Sequence, residues 1–163
     1  MEGALAWVEI DNPPVNATST AIRAGLLDAV KAVRDAELAI LKCRGKTFVA
    51  GGDMLEFDAP PQEPQLPDVV QAIEDSPTPF LCLLHGNVLG GGLEIAMACA
   101  YRIAAPGTKF GLPEVNVGLI PGAGGTQRAP RLFGWAHAVE MAAGGKTVSA
   151  KDALGYIVRA SCR

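Results

Sequence analysis

Two glutamates set among bunched glycines are the residues of this sequence whose types and spacing can do chemistry. They lie in three segments. One is Phe48-Val49-Ala50-Gly51-Gly52-Asp53, the next runs from His85 through Gly90-Gly91-Gly92-Leu93 to Glu94, and the last is Gly111-Leu112-Pro113-Glu114, continuing through Pro121-Gly122-Ala123-Gly124-Gly125 to Arg128. Glycines after a strand and before a helix free the backbone to aim N–H groups into a cavity, and the helix start adds its positive end. Two such donors, one from each of two glycine segments, make an oxyanion hole for a thioester carbonyl. Glu94 falls about one turn into a helix, among Leu93, Ile95, Ala96 and Met97. A carboxylate there costs free energy unless it has partners, which points to function. Glu114 follows Pro113 at a strand end and can face the same cavity. Two carboxylates flanking one water suit its addition or removal by general acid–base chemistry. Each signal also has an ordinary reading: a glycine cluster is commonly a turn, a lone helical glutamate commonly solvated. From the residues alone, the reading is an α/β domain with a pocket that favours anions.

Other chemistries fail on spacing. Gly122-Ala123-Gly124 begins a dinucleotide fingerprint, but Gln127 occupies the last glycine position. Gly145-Lys146-Thr147 resembles the end of a phosphate loop, yet Glu140 stands where its first glycine belongs. No G-x-S-x-G elbow exists, and the two histidines, His85 and His137, form no zinc motif, so no metal site is expected. His85 reads as a strand-end residue satisfied by hydrogen bonds.

Composition narrows the class further. With 49% apolar and 19% charged residues the chain is globular rather than disordered. A net charge of −3 without a Lys/Arg cluster gives no footprint for nucleic acid. The apolar stretch 80–105 is interrupted by Asn87, three glycines, Glu94 and Arg102, which favours a buried strand–turn–helix over a membrane span. Cys43, Cys82, Cys99 and Cys162 form no C-x-x-C pair, and the N-terminus shows no signal-peptide pattern. The expectation is a cytoplasmic protein with reduced cysteines.

The elements that must position these residues follow from periodicity. Strands are predicted at 5–10, 38–43, 80–84, 101–105 and 109–112. Helices are predicted at 18–34, with Ile22, Leu26, Leu27, Val30 and Val33 on one face, then at 66–75, from the glycine triplet to about residue 100, over 129–143, and starting at 150–154. A proline-rich loop spans 59–67. Strands alternating with helices argue for one α/β domain over residues 1–163.

At the glycine and glutamate blocks the sequence resembles the crotonase superfamily, the enoyl-CoA hydratases and isomerases. The resemblance covers about residues 5–154. It rests on Ala50-Gly51-Gly52-Asp53, Gly90-Gly91-Gly92-Leu93-Glu94, Leu112-Pro113-Glu114 and Pro121 to Arg128 in the family's order. The opening Asn12-Pro13-Pro14-Val15-Asn16 looks most like the N-terminal hydratase/isomerase domain of multifunctional β-oxidation enzymes. It implies a spiral of ββα units with two roughly perpendicular sheets. It also implies oxyanion donors from the backbone amides of Gly52 and Gly91, and Glu94 and Glu114 as the catalytic pair of a 2-enoyl-CoA hydratase. An isomerase would use the Glu114 position alone, other crotonase-type acyl-CoA chemistry is a further alternative, and an inactive acyl-CoA-binding or interaction paralogue is the alternative outside catalysis. Ala50, Gly51, Gly52, Asp53, Met54, Gly90, Pro113 and Gly122 would line the coenzyme A and substrate pocket. Coenzyme A is then part of the substrate, with no separate cofactor. Three departures are visible: Gly52 stands where alanine is commoner, which leaves a main-chain donor intact, no basic residue follows Met54, which implies weaker phosphate contacts, and the family's C-terminal helices do not follow residue 163. The latter predicts exposed apolar area on the helices that carry Leu26, Val30, Ile95 and Met97, and a homo-oligomer.

Overall fold

In the computed structural model, which describes residues 4–56 and 60–153, the alternating run at the start forms strand β1 (Leu5–Ile10). Ala6, Val8 and Ile10 are buried while Leu5, Trp7 and Glu9 are exposed. This is the period-two pattern of a half-buried strand. β1 pairs in parallel with β2 (Leu38–Cys43), β2 with β3 (Phe80–Leu84), and β3 with β5 (Tyr101–Ala104), in the order β1-β2-β3-β5. Parallel neighbours need crossovers. Helix α1 (Thr20–Ala32) connects β1 to β2, and α2 (Leu66–Glu74) connects β2 to β3. A second sheet is built from β4 (Asn87–Leu89), β6 (Lys109–Gly111) and β7 (Thr147–Ser149), with β4–β6 parallel and β6–β7 antiparallel.

Helix α3 (Gly91–Ala98) leaves the second sheet and enters the core, where all eight of its residues are buried. A helix that is apolar on every side has no solvent face, so the Glu94 it carries is placed away from water. The same core holds Phe48, Phe80, Phe110 and Leu41, all fully buried.

The structure departs from the sequence expectations at several places. β4 and β7 are three residues each, too short to show alternation, and exist because β6 lies between them. The helix expected over 129–143 is two helices, α4 (Gly125–Phe133) and α5 (Trp135–Ala142), broken at Gly134, whose φ of 78° has left the helical region. α4 also starts earlier, after Gly124 at φ 90°. Residues 150–153 form a turn in which Ala153 N–H donates to Ser149 O and the Ser149 side chain bonds Asp152, and any continuation of the helix expected from residue 150 falls outside the described residues. Leu154 lies outside the described residues. Leu26, Ile95 and Met97 are buried and Val30 packs against the core, so the expected exposed apolar area is not on those residues. The exposed large apolar side chains are elsewhere, notably Val117, Ile120, Trp135 and Val139.

Candidate active site

The three glycine-bearing segments meet where the two sheets join. Val49 bridges Val88, and Leu89 N–H donates to Val49 O at 3.0 Å. Gly90 N–H donates to Gly111 O at 2.9 Å, and Thr18 N–H to Gly51 O at 3.0 Å. The approach is tight enough to exclude side chains: a Cβ on Gly92 would overlap the Val49 carbonyl oxygen and lie 2.6 Å from Val49 Cβ. That closeness is the physical reason for glycine in the triplet.

Beside this junction lies a cavity of about 450 Å³ whose wall includes Gly52, Asp53, Gly91, Glu94, Glu114 and Gly122. Of the other positions expected in the pocket, Ala50, Gly51, Met54, Gly90 and Pro113 are not on that wall. Ala50 N–H is tied to Val15 O and Gly51 O to Thr18. Gly90 backs onto the Glu114 carboxyl, Met54 is 63% exposed, and Pro113 opens the short 3-10 helix Pro113–Val117. Another cavity, of about 480 Å³, lies between β1 and α1. Of its two carboxylates, Glu9 is paired with Lys42 and Arg44, and Asp11 lies 3.9 Å from Arg44. Volume therefore does not choose between the two cavities, whereas the chemistry of the lining does.

Glu94 is 2% exposed, and its Oε1 accepts N–H bonds from Ala123 at 2.7 Å and Gly125 at 2.8 Å. Both donors flank Gly124 at the start of α4, and a Cβ on Gly125 would lie 2.9 Å from that oxygen. Burial pushes the Glu94 carboxyl above its ordinary range, while the Gly125 and Ala123 amides and the nearby Arg128 oppose the shift. Arg128 is itself anchored by Glu74 and by Ala123 O.

Glu114 sits in the 3-10 helix rather than at the strand end. Its Oε2 is buried with no hydrogen-bond partner among the described residues. An unpaired buried carboxyl oxygen on a cavity wall is costly, and such exceptions need a reason. Burial raises the Glu114 pKa, its own backbone N–H lowers it, and Glu94 raises it further.

Both pKa values stand above the usual 4.5. The stability these groups contribute is whole below that value and is lost as pH rises through the raised values. Glu114→Gln is thus expected to raise the melting temperature near neutral pH, with the gain shrinking toward pH 4.5. Thermal unfolding across that range checks it, and a gain that grows on acidification would reverse the sign.

Gly91 is the first residue of α3, so its N–H has no intrahelical acceptor. Among the described residues neither the Gly52 nor the Gly91 N–H donates a loop or cap bond. His85, by contrast, pairs with Gly45 O at 3.2 Å, as a strand-end residue should. The sequence reading missed Thr18, Arg23, Glu56, Leu66 and Ile120, which also line the cavity. Arg23 left one signal, a charge beside Leu26 and Leu27 on the apolar side of a helix.

The chain matches the family described as enoyl-CoA hydratase/isomerase over residues 1–158. It is 40% identical over 154 residues to the peroxisomal bifunctional enzyme of Danio rerio, a match covering 93% of this chain and 21% of that protein. It is 41% identical over 160 residues to a Bacillus subtilis (strain 168) protein named probable enoyl-CoA hydratase, covering 92% of this chain and 62% of that one. Its fold matches the crystal structure of enoyl-CoA hydratase from Bacillus anthracis with a TM-score of 0.83 at 32% identity, covering 93% of this chain and 64% of that chain. The chain thus spans about a fifth of one curated relative and less than two thirds of the other.

Proposed function

The chain belongs to the enoyl-CoA hydratase/isomerase family, and from that premise we propose that it adds water across the double bond of 2-enoyl-CoA thioesters. The observation that carries this reading is the buried Glu94 carboxyl and the half-buried Glu114, whose Oε2 is buried and unpaired among the described residues, lining one cavity with Gly52 and Gly91.

In this mechanism the thioester oxygen accepts the Gly52 and Gly91 N–H groups. Glu94, whose ionised form is supported by two backbone donors, takes a proton from water as its oxygen attacks C3. The π electrons move onto the thioester oxygen, where the two amides meet the developing charge. Glu114, whose pKa is raised by burial, enters this mechanism protonated and gives its proton to C2. The turnover leaves Glu94 protonated and Glu114 ionised, and the pair is reset when Glu94 releases its proton to solvent and Glu114 takes one up.

Loss of crotonyl-CoA absorbance, measured beside binding of the saturated butyryl-CoA, tests the assignment. Hydration together with binding is expected. If 3-enoyl-CoA isomerises and crotonyl-CoA is not hydrated, the one-glutamate route replaces this one. Binding without either reaction would make the chain an acyl-CoA-binding protein. Glu94→Gln is expected to abolish most hydration while sparing any isomerisation, which needs only Glu114.

We also propose self-association. Ile120, Trp135 and Val139 are 79%, 76% and 57% exposed, and burying apolar area is worth about 25 cal/mol per Å². Light scattering at increasing concentration is expected to report an oligomer, and a persistent monomer would overturn this.

A further inference from the structure

Arg23, the single arginine of α1, is 8% exposed and lies on the side of the helix where Leu26 packs into the core. Its guanidinium meets five acceptors. Nε donates to Pro64 O at 2.7 Å. Nη1 donates to Thr18 O at 2.7 Å and Glu56 Oε2 at 2.9 Å. Nη2 donates to Thr20 Oγ1 at 2.9 Å and Gln62 O at 3.2 Å. A guanidinium has five N–H groups in a fixed fork, so none remains for a ligand. Two acceptors belong to the entry into α1, and three to the connection between β2 and α2. The network extends through Glu56, whose Oε1 accepts the Thr20 N–H at 2.7 Å and its hydroxyl at 2.9 Å. It also extends through Thr18, whose N–H holds Gly51 O beside Gly52. Thr18, Arg23, Glu56 and Gln65 all line the cavity that Glu94 and Glu114 also line. Neither Glu94 nor Glu114 bonds to any member of this network; their partners are Ala123, Gly125 and Glu114's own backbone.

We propose that Arg23 is a positioning residue for the acyl-CoA thioester: by bonding Pro64, Gln62 and Glu56 to the start of α1 it holds the lining formed by Thr18, Glu56 and Gln65 in place, setting thioester affinity while the carboxyl pair keeps its own partners. The proposal rests on the hydratase reading for its ligand. Arg23 does not stand in for the basic residue missing after Met54. The arginine in this cavity is neutralised by Glu56 and spent on structure, so it offers no charge to a phosphate.

The geometry separates this role from direct phosphate binding by sign. If Arg23 were a phosphate ligand, Glu56→Gln would free its charge and tighten binding. As a positioning residue it loses a charged acceptor, and binding weakens. Lysine, with three donors at one point, cannot reach acceptors on both sides, so Arg23→Lys should resemble Arg23→Met rather than the parent.

The test measures butyryl-CoA binding by calorimetry and crotonyl-CoA hydration kinetics on the full chain and on Arg23→Lys, Arg23→Met and Glu56→Gln. Expected is a rise of about tenfold in Kd and KM, about 1.4 kcal/mol, for each folded variant, with kcat within about threefold of the parent. Tighter binding by Glu56→Gln, parental Kd in Arg23→Lys, or a fall in kcat at unchanged KM would each overturn the proposal. Should Arg23→Met fail to fold, Glu56→Gln decides by its sign. A parent that binds butyryl-CoA without hydrating crotonyl-CoA would overturn the hydratase reading while the Kd values still judge Arg23. A parent that binds no acyl-CoA would overturn both.

Discussion

Glu114→Gln is expected to slow crotonyl-CoA hydration by about 10²–10⁴-fold, the usual worth of a positioned acid or base, with butyryl-CoA binding retained. The substitution keeps shape and volume. Because Oε2 has no hydrogen-bond partner among the described residues, it also removes no network that holds the cavity together. What is lost is the transferable proton. In the mechanism above Glu114 acts protonated, and burial holds its pKa above 4.5. The parent's rate is therefore expected to fall as pH rises through that raised value, and the glutamine variant should lack this limb. Steady-state rates over a pH series check both statements. A variant with the parent's rate and pH profile would remove Glu114 from the mechanism.

The amide of Gly91 is expected to be worth nearly as much. Removing one oxyanion donor costs roughly 2.7–4 kcal/mol in the transition state, or about 10²–10³-fold in kcat. A backbone donor can be deleted with proline, which the first helical position accommodates, and Gly91 occupies that position in α3. The needed control is alanine. A Cβ at this position lies 2.5 Å from Leu66 Cδ2 and 3.5 Å from Thr18 Oγ1, so both variants must displace the end of one leucine side chain. Alanine keeps the N–H and proline does not. The ratio of kcat for Gly91→Ala to that for Gly91→Pro then isolates the donor from the crowding. Equal values would show that the Gly91 amide does not carry oxyanion charge.

Local pattern decided a good part of the fold. The strands at Leu5–Ile10, Leu38–Cys43 and Phe80–Leu84 are legible because alternation and short apolar runs are properties of neighbouring residues. Where the signal needs a partner, it disappears. Asn87–Leu89 and Thr147–Ser149 are strands because β6 runs beside each of them, and three residues carry no period. The break between α4 and α5 was hidden for a similar reason: Gly134 sits inside a helical pattern that tolerates one glycine, and only its φ of 78° reveals the bend.

By itself the sequence determined the burial of Glu94. The segment Gly91–Ala98 is apolar on all sides, so any helix it forms must lie within the core and take its single carboxylate along. It also marked the glycine clusters as places where backbones approach. Tertiary structure alone decided how those groups are used. Glu94 meets amides at Ala123 and Gly125, 29 and 31 residues away, Glu114 keeps an oxygen unpaired, and the five acceptors of Arg23 come from both ends of the Thr18–Pro64 stretch. No periodicity encodes these pairings. They arise when parallel strands bring distant turns to one side of the core, and the desolvation cost of each buried charge then selects the partners that remain within reach.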